Sequence, residues 1–393
     1  MRFPEAAEKV KCQMKKICYV VTIPLTIRAF FIPQLRFLAE NGYHVTVICS
    51  PDPILEKELG SSIIYLPVEI PRGISVGGSW KALKRLEYIF KREHFDLIQY
   101  STPNAAFYAS IAAKWAGCKV RNYHLMGLRY LGASGMGRAI LKTIEKIACA
   151  NSTSIECVSK SNMELGIREG LFPREKVTVV WNGSTGGVDL AKFDYARRDQ
   201  WRGEIRGELG YSDKDFVYGF VGRITRDKGI NELLEAYYGL NSDAKLLLVG
   251  RIEDEQTLNQ ELFEKAKKDS NVVIHNAVSD IERYYAAIDV LILPSYREGF
   301  GNVVIEAGAV GTPAIVSHIP GPIDTIDPGV TALTVPVRDA KALADAMERM
   351  RQADYVNMGS SAARFAKEKF DSRVLCEKIL ERKQTLLNTY ERD

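Results

Sequence analysis

Two short segments of this 393-residue chain carry residue types that together suit a phosphate-bearing ligand. The first is LILPSYREGFGNVVIEAGAVGTPAIVSH, residues 291–318. A strand ends at Pro294-Ser295, a loop follows through Arg297, Glu298, Gly299, Phe300, Gly301 and Asn302, and a helix then carries Glu306. A Gly-rich loop opening a helix is an anion site, because the first-turn amides point outward and the helix dipole favours phosphate. Glu298 and Glu306 bracket it, and eight helical residues span at most about 12 Å. That spacing suits a diphosphate at the helix N-terminus, with a sugar hydroxyl on Glu298 and a ribose hydroxyl on Glu306. The alternative is a solvated loop Glu and a helix-surface Glu, although the neighbours of Glu306 (Val304, Ile305, Ala307, Ala309) are apolar.

The second segment is GFVGRITRDKG, residues 219–229. A strand ends at Val221-Gly222, and Arg223 and Lys228 flank the turn into the next helix. Arg in fork geometry and Lys as a point charge could grip the same diphosphate. Gly222 lets backbone approach closely. Standing alone, the pair would read as two surface cations near a turn.

The elements that must position these residues are short β-branched runs alternating with amphipathic stretches. Strands are predicted at 15–23, 44–50, 96–101, 119–124, 153–159 and 176–182, with helices at 28–41, 79–93, 104–116, 137–150 and 160–169. After a Gly-rich linker, GSTGGVD (183–189), and a charged stretch to about Lys214, strands recur at 215–222, 244–250, 271–276, 289–295 and 313–318. Residues 339–352, 355–369 and 372–389 form a helical tail. Continuous apolar strands separated by helices indicate parallel sheets covered on both faces. The pattern predicts two doubly wound α/β domains, 14–182 and 215–370, joined by a hinge at 183–214. A C-terminal helix from 371 would cross back to the first domain. Ligands in such sheets bind beyond the strands' carboxyl ends, and two facing domains would form a cleft there. Residues 1–13 read as a disordered leader, or as an upstream start ahead of Met14.

The E-x7-E pair inside EGFGNVVIEAGAVGTPAI, together with GRITRDKG, resembles the family 4 retaining glycosyltransferases. The resemblance covers residues 216–336 and implies the GT-B architecture of two facing Rossmann-like domains. It implies that Arg223 and Lys228 grip the donor diphosphate, Glu298 contacts the donor sugar and Glu306 the ribose. Amides from Gly299 through Phe300 and Gly301 to Asn302 would approach sugar and phosphate. The segment from His275 through Asn276 to Val278 would lie beside the base. Residues 101–117 and RNYHLMGLRY (121–130) resemble the subgroup that assembles capsule, exopolysaccharide and O-antigen. There His124 matches an active-site histidine, although a lone His at a strand end is more often structural. The loop after the first strand departs from the family's Gly-Gly turn. It reads Ile23-Pro24-Leu25-Thr26-Ile27-Arg28, so acceptor contacts cannot be carried over to it.

The resemblance implies a nucleotide-diphosphate sugar donor, UDP rather than GDP, and a polyprenyl-diphosphate-linked glycan acceptor. It implies a cytoplasmic enzyme, peripheral on the inner face of the cytoplasmic membrane, with no cofactor or metal. Rival readings are a nucleotide-sugar epimerase, a phosphorylase, or a non-catalytic nucleotide-sugar-binding partner of an assembly complex. A nicotinamide oxidoreductase lacks its G-x-G-x-x-G fingerprint.

Composition is that of an ordinary soluble globular protein: 46% of residues are hydrophobic and 26% charged. No apolar run approaches the ~20 residues of a membrane-spanning helix. Seven cysteines with no C-x-x-C pair read as reduced thiols, not a disulfide frame or zinc site. Asp213-Lys214-Asp215 has D-x-D spacing but looks like turn chemistry. Residues 1–190 hold 25 Lys+Arg against 16 Asp+Glu and residues 191–393 hold 28 against 33, a basic half joined to an acidic half. WKALKRLEYIFKREHF (80–95) concentrates five of those cations beside an apolar stripe of Trp80, Leu83, Leu86, Ile89 and Phe90. Such a helix can dock on anionic lipid or simply cover the sheet. Basic residues elsewhere are dispersed, which argues against nucleic acid.

Overall fold

A computed structural model describes residues 14–71, 76–240 and 242–391, with side chains omitted at 76–79 and 391. The leader expected at 1–13, and Cys12 within it, lies outside the described residues. Among the described residues thirteen strands form two sheets. The first contains β1 (Lys16–Val20), β2 (His44–Cys49), β3 (Ile63–Pro67), β4 (Leu97–Ser101), β5 (Val120–Leu125), β6 (Ser154–Cys157) and β7 (Val177–Val179). The second contains β8 (Val217–Val221), β9 (Lys245–Val249), β10 (Val272–His275), β11 (Val290–Leu293), β12 (Ala314–Ser317) and β13 (Ala332–Val335).

The strand orders are β3-β2-β1-β4-β5-β6-β7 and β10-β9-β8-β11-β12-β13. Every ladder of the second sheet is parallel. Counted from its own first strand, each sheet runs 3-2-1-4-5-6, the doubly wound order. The order reverses beside β1 in one sheet and β8 in the other. Central strands are buried on both faces, which is why they read as unbroken apolar runs. The second sheet has a core on each side, one holding Leu291, Leu293 and Phe300 and the other Phe220, Leu233 and Ile292.

By internal contacts the chain divides into two compact units. One comprises the described parts of Met1–Tyr123, Asn151–Thr153 and Gln384–Asp393; the other comprises His124–Ala150 and Ser154–Lys383. Every residue proposed from sequence for the site falls in the second unit.

Several elements differ from expectation. β3 and β13 were not predicted, because IIYLP and ALTV are short and half-exposed. The predicted helix 28–41 is two helices, Pro24–Phe30 and Ile32–Glu40, each with proline at its start. Proline is tolerated in the first turn but not in a helix interior. The first of these helices occupies the divergent loop after β1, and its Arg28 pairs with Asp52 at 2.8 Å.

The stretch expected to be linker contains a helix, Arg198–Leu209. Its apolar positions Trp201, Ile205 and Leu209 recur at i, i+4, i+8, but Gly203 and Gly207 lower its intrinsic propensity and mask it. Buried Arg206 anchors it. The guanidinium donates to Asp289 at 2.8 Å and to the carbonyls of Ala287, Ser212 and Asp215. Asp213–Asp215 is a turn, where Asp215 accepts from the Ser212 amide at 2.6 Å.

In the helix Val76–Glu93, Leu83, Leu86, Ile89 and Phe90 are buried, so its stripe belongs to the core of the first unit. Trp80 remains 58% exposed. The six described cysteines are free and buried. Among the described residues no helix is long and apolar enough to cross a membrane.

Removing Arg206 would leave the buried Asp289 carboxylate with Arg202 alone and three carbonyls without their donor. Arg206→Ala is therefore expected to destabilise the protein by about 3 kcal/mol, read as a lower urea midpoint. A native midpoint would show that the pair does not anchor this helix.

Candidate active site

The second sheet places both motifs where its strand order reverses. Gly222 to Lys228 follow β8, Pro294 to Glu298 follow the adjacent β11, and the helix Asn302–Ala309 leaves that loop with Gly301 as its cap. Glycines make the turns possible. Gly301 has φ +102°, and a β-carbon on Gly229 would lie 2.2 Å from the Pro294 carbonyl. The two loops are also stitched together. Asp227 accepts from Thr225 at 2.6 Å and from Arg297 at 3.1 Å, while its carbonyl accepts from the Tyr296 amide at 2.9 Å. Burial pushes the Asp227 carboxyl up, but the Thr225 hydroxyl and the Arg297 charge outweigh it and hold the group below its usual range.

Within this frame Lys228 donates to Glu298 at 2.5 Å. Sequence reasoning gave Lys228 to the donor diphosphate and Glu298 to the donor sugar, and the structure brings the two side chains into direct contact. Arg223, half-exposed, pairs with Glu253 at 3.0 Å. Each cation is thus held by a carboxylate, and an arriving diphosphate would share or displace that partner. A cavity of about 580 Å³ opens beside Arg223, Asp227 and Arg297.

Glu306 is half-buried, and the Tyr285 hydroxyl donates to it at 3.0 Å. Burial raises its pKa despite that hydrogen bond. Asn276 is exposed after β10, and Val278 packs on the core. Their neighbour His275 is fixed by Nδ1 at 2.9 Å from the Asn276 carbonyl. Phe300 is buried edge-on against Phe370, with centroids 5.5 Å apart, so its side chain is structural. The side chain of Asn302 accepts from Ser184 at 3.2 Å.

His124 stands at the end of β5, 7% exposed, with Nε2 3.2 Å from the Thr185 hydroxyl. The loop that follows it reaches the Glu298 loop. A β-carbon on Gly299 would lie 1.8 Å from the Met126 carbonyl, and one on Gly127 would lie 2.9 Å from Cα of Gly299.

Sequence reasoning missed several residues that fix this contact. Asn162, fully buried, donates to the carbonyls of Glu298 at 3.3 Å and Gly299 at 2.8 Å. Ser161 donates to Asp324 at 2.7 Å and accepts from the Gly321 amide at 2.8 Å. Gly250 packs so tightly that a β-carbon there would meet the Gly222 carbonyl at 1.7 Å. Only the glycine after an apolar run, LLLVG, signalled the last of these.

Comparison with known proteins finds two matching family models. Residues 34–185 match the model of Glycosyltransferase Family 4, and 202–369 match that of Glycosyl transferases group 1. The capsular polysaccharide biosynthesis glycosyltransferase CapM of Staphylococcus aureus is 30% identical over 381 residues, covering 96% of this chain and 97% of that protein. The chain belongs to the family 4 glycosyltransferases.

This glycosyltransferase is also 25% identical, over 89% of its length and 91% of the relative's, to an Escherichia coli UDP-Gal:alpha-D-GlcNAc-diphosphoundecaprenol alpha-1,3-galactosyltransferase. Its fold is that of Anabaena HepE, solved in complex with UDP. The TM-score is 0.77 at 19% identity, over 94% of this chain and all of that one. The fold is therefore GT-B, with two parallel-sheet Rossmann-like domains, and the enzyme is a glycosyltransferase of the capsule-biosynthesis type.

If the Met126–Gly299 approach sets the site, Gly299→Ala should lower kcat on the order of a hundredfold, as for reacting groups misplaced by about 1 Å. Gly203→Ala, where a β-carbon meets nothing within 4 Å, is the control and should be native-like. Equal turnover in the two variants would remove the contact from the account.

Proposed function

We propose that this glycosyltransferase moves a hexose or N-acetylhexosamine from a nucleotide-diphosphate sugar to a polyprenyl-diphosphate-linked glycan, with retention of configuration. The observation that carries the reading is the Lys228–Glu298 pair at the β8–β11 reversal, with Arg223 on the same loop as Lys228. A fixed ammonium and guanidinium suit a departing diphosphate, where charge develops during the reaction. Glu298 is the carboxylate beside them and takes the donor-sugar hydroxyls; Glu306 takes the ribose. Glu298 is already engaged by Lys228 and is poorly suited to attack as a nucleophile. Front-face attack with leaving-group stabilisation fits that arrangement. His124 and the backbone of Gly299 to Asn302 border the sugar and phosphate, and Asn276 and Val278 the base. The base is uracil rather than guanine; the relative from E. coli is named for a UDP-sugar donor and a diphosphoundecaprenol acceptor.

Removing charge should separate these roles. Arg223→Ala and Lys228→Ala should each lower transfer on the order of a hundredfold, as for a lost oxyanion donor. Glu306→Gln should mainly raise donor KM, because a ribose contact is the same in ground and transition states. Glu298→Gln should mainly lower kcat. The reverse split would turn the donor end for end, and native kinetics in all four variants would sink the reading.

Fixed cations can take the charge of the departing diphosphate, so transfer should persist in excess chelator. Loss of activity in chelator that magnesium or manganese restores would contradict this.

A lipid-linked acceptor favours a peripheral enzyme on the inner face of the cytoplasmic membrane. Trp80, Lys81, Lys84, Arg85, Lys91 and Arg92 form the exposed side of the helix Val76–Glu93, with Lys84 5.0 Å over Trp80 and 5.3 Å over Trp115. Binding to acidic vesicles should weaken as salt rises, and weaken further in Lys84→Glu/Arg85→Glu. Equal weak binding to neutral and acidic vesicles would leave this helix a purely structural role.

A further inference from the structure

Glu156 is a carboxylate placed on a buried strand, β6, between Ile155 and Cys157, and it is 2% exposed. Its oxygens accept from Nζ of Lys383 at 2.8 and 3.1 Å. Lys383 belongs to the helix Ser372–Glu391 and is 1% exposed. The adjacent Arg382 lies 3.4 Å from the same carboxylate and donates to Ser154 at 2.9 Å. On the other side, Oε2 of Glu156 is 3.9 Å from Nδ1 of His124. His124 alone of the five histidines is buried, and its other nitrogen faces Thr185 at 3.2 Å.

An ion pair out of water is no more stabilising than well-packed apolar residues of similar volume. Packing alone therefore gives no reason for Glu156 and Lys383, and the imidazole they face does. A carboxylate beside one ring nitrogen of a histidine sets both the ring's orientation and which nitrogen carries the proton.

We infer that Glu156 and Lys383 are positioning residues for the transfer reaction: Glu156 fixes the imidazole of His124, and Lys383, reaching in from the last helix, fixes Glu156. The inference rests on the assignment of His124 to the active site and extends it to a residue 227 positions from Glu156.

The charges bear on proton uptake as well as geometry. Burial lowers the pKa of His124, and Glu156 works against that. Burial pushes Glu156 up, but the Lys383 charge and the His124 contact outweigh it and hold the carboxylate ionised. The groups facing His124 and Glu156 are thus Lys383 and Arg382 from the last helix, and Thr185 from the loop after β7.

The test is the pH profile of kcat, with donor KM, for four variants. His124→Ala should abolish most transfer. Lys383→Met leaves the Glu156 charge with Arg382 alone and removes a cation facing His124, so the acidic limb, where His124 takes up a proton, should move up by about one unit. Glu156→Gln/Lys383→Gln removes both charges, and without the carboxylate's attraction the limb should move down. In both, kcat at neutral pH should fall about tenfold, the low end of what a positioned proton-transfer group contributes. Donor KM should be unchanged, and Lys383→Arg should restore the native profile. A residue that merely supported the fold would not move the limb in opposite directions. If Lys383→Met fails to fold, the neutral double variant still decides through its downward shift. An acidic limb at its native position in every folded variant at 156 and 383, with His124→Ala inactive, overturns this inference alone. Full activity in His124→Ala overturns it together with the assignment of His124.

Discussion

The carbonyl of Met126 lies where a β-carbon on residue 299 would need to be, 1.8 Å from that position. Only glycine permits this approach, and much of the site depends on it. It brings the loop after His124 against the loop carrying Glu298. Asn162 locks the same loop by taking the carbonyls of Glu298 and Gly299. Ser161, its neighbour, holds Gly321 and Asp324. A helix start that sequence reasoning treated as ordinary thus fixes the backbone of the Glu298 loop.

Around that contact the charges form a closed set. Lys228 holds Glu298, Arg223 holds Glu253, Arg297 holds Asp227, and Lys383 holds Glu156. The first three range from part-buried Lys228–Glu298 to half-exposed Arg223–Glu253, and pairs open to solvent contribute little to stability. Their significance is chemical. Cations already in place need little reorganisation when negative charge develops on a leaving group. The buried pair differs in kind, because its partners are nearly out of water and one of them faces the site's histidine.

Much of this was legible in the sequence. The parallel strands announce themselves as unbroken apolar runs because they are buried on both faces. Glu298, Glu306, Arg223 and Lys228 follow strand ends at short, fixed spacing, so one segment of sequence displays each motif whole. What was illegible has physical causes. β13 is four residues, half of them only partly buried, and the helix Arg198–Leu209 is diluted by two glycines. The direct Lys228–Glu298 contact joins residues 70 apart, and Glu156–Lys383 joins residues 227 apart. Long-range polar pairs have no period, so no local pattern reveals them. Asn162 is similar: an asparagine near a helix start reads as a cap, and only the fold shows its amide reaching the Glu298 loop.

In the proposed reaction a nucleotide-diphosphate leaving group departs from this site when a glycan acceptor takes the sugar. The most direct measurement is release of free nucleoside diphosphate from a panel of UDP- and GDP-sugars, with and without a polyprenyl-diphosphate-linked saccharide. The account predicts release from a UDP-sugar that depends on acceptor, with the sugar recovered on the acceptor and the reaction lost in Lys228→Ala. Sugar conversion without acceptor, or donor binding with no release under any acceptor, would contradict it.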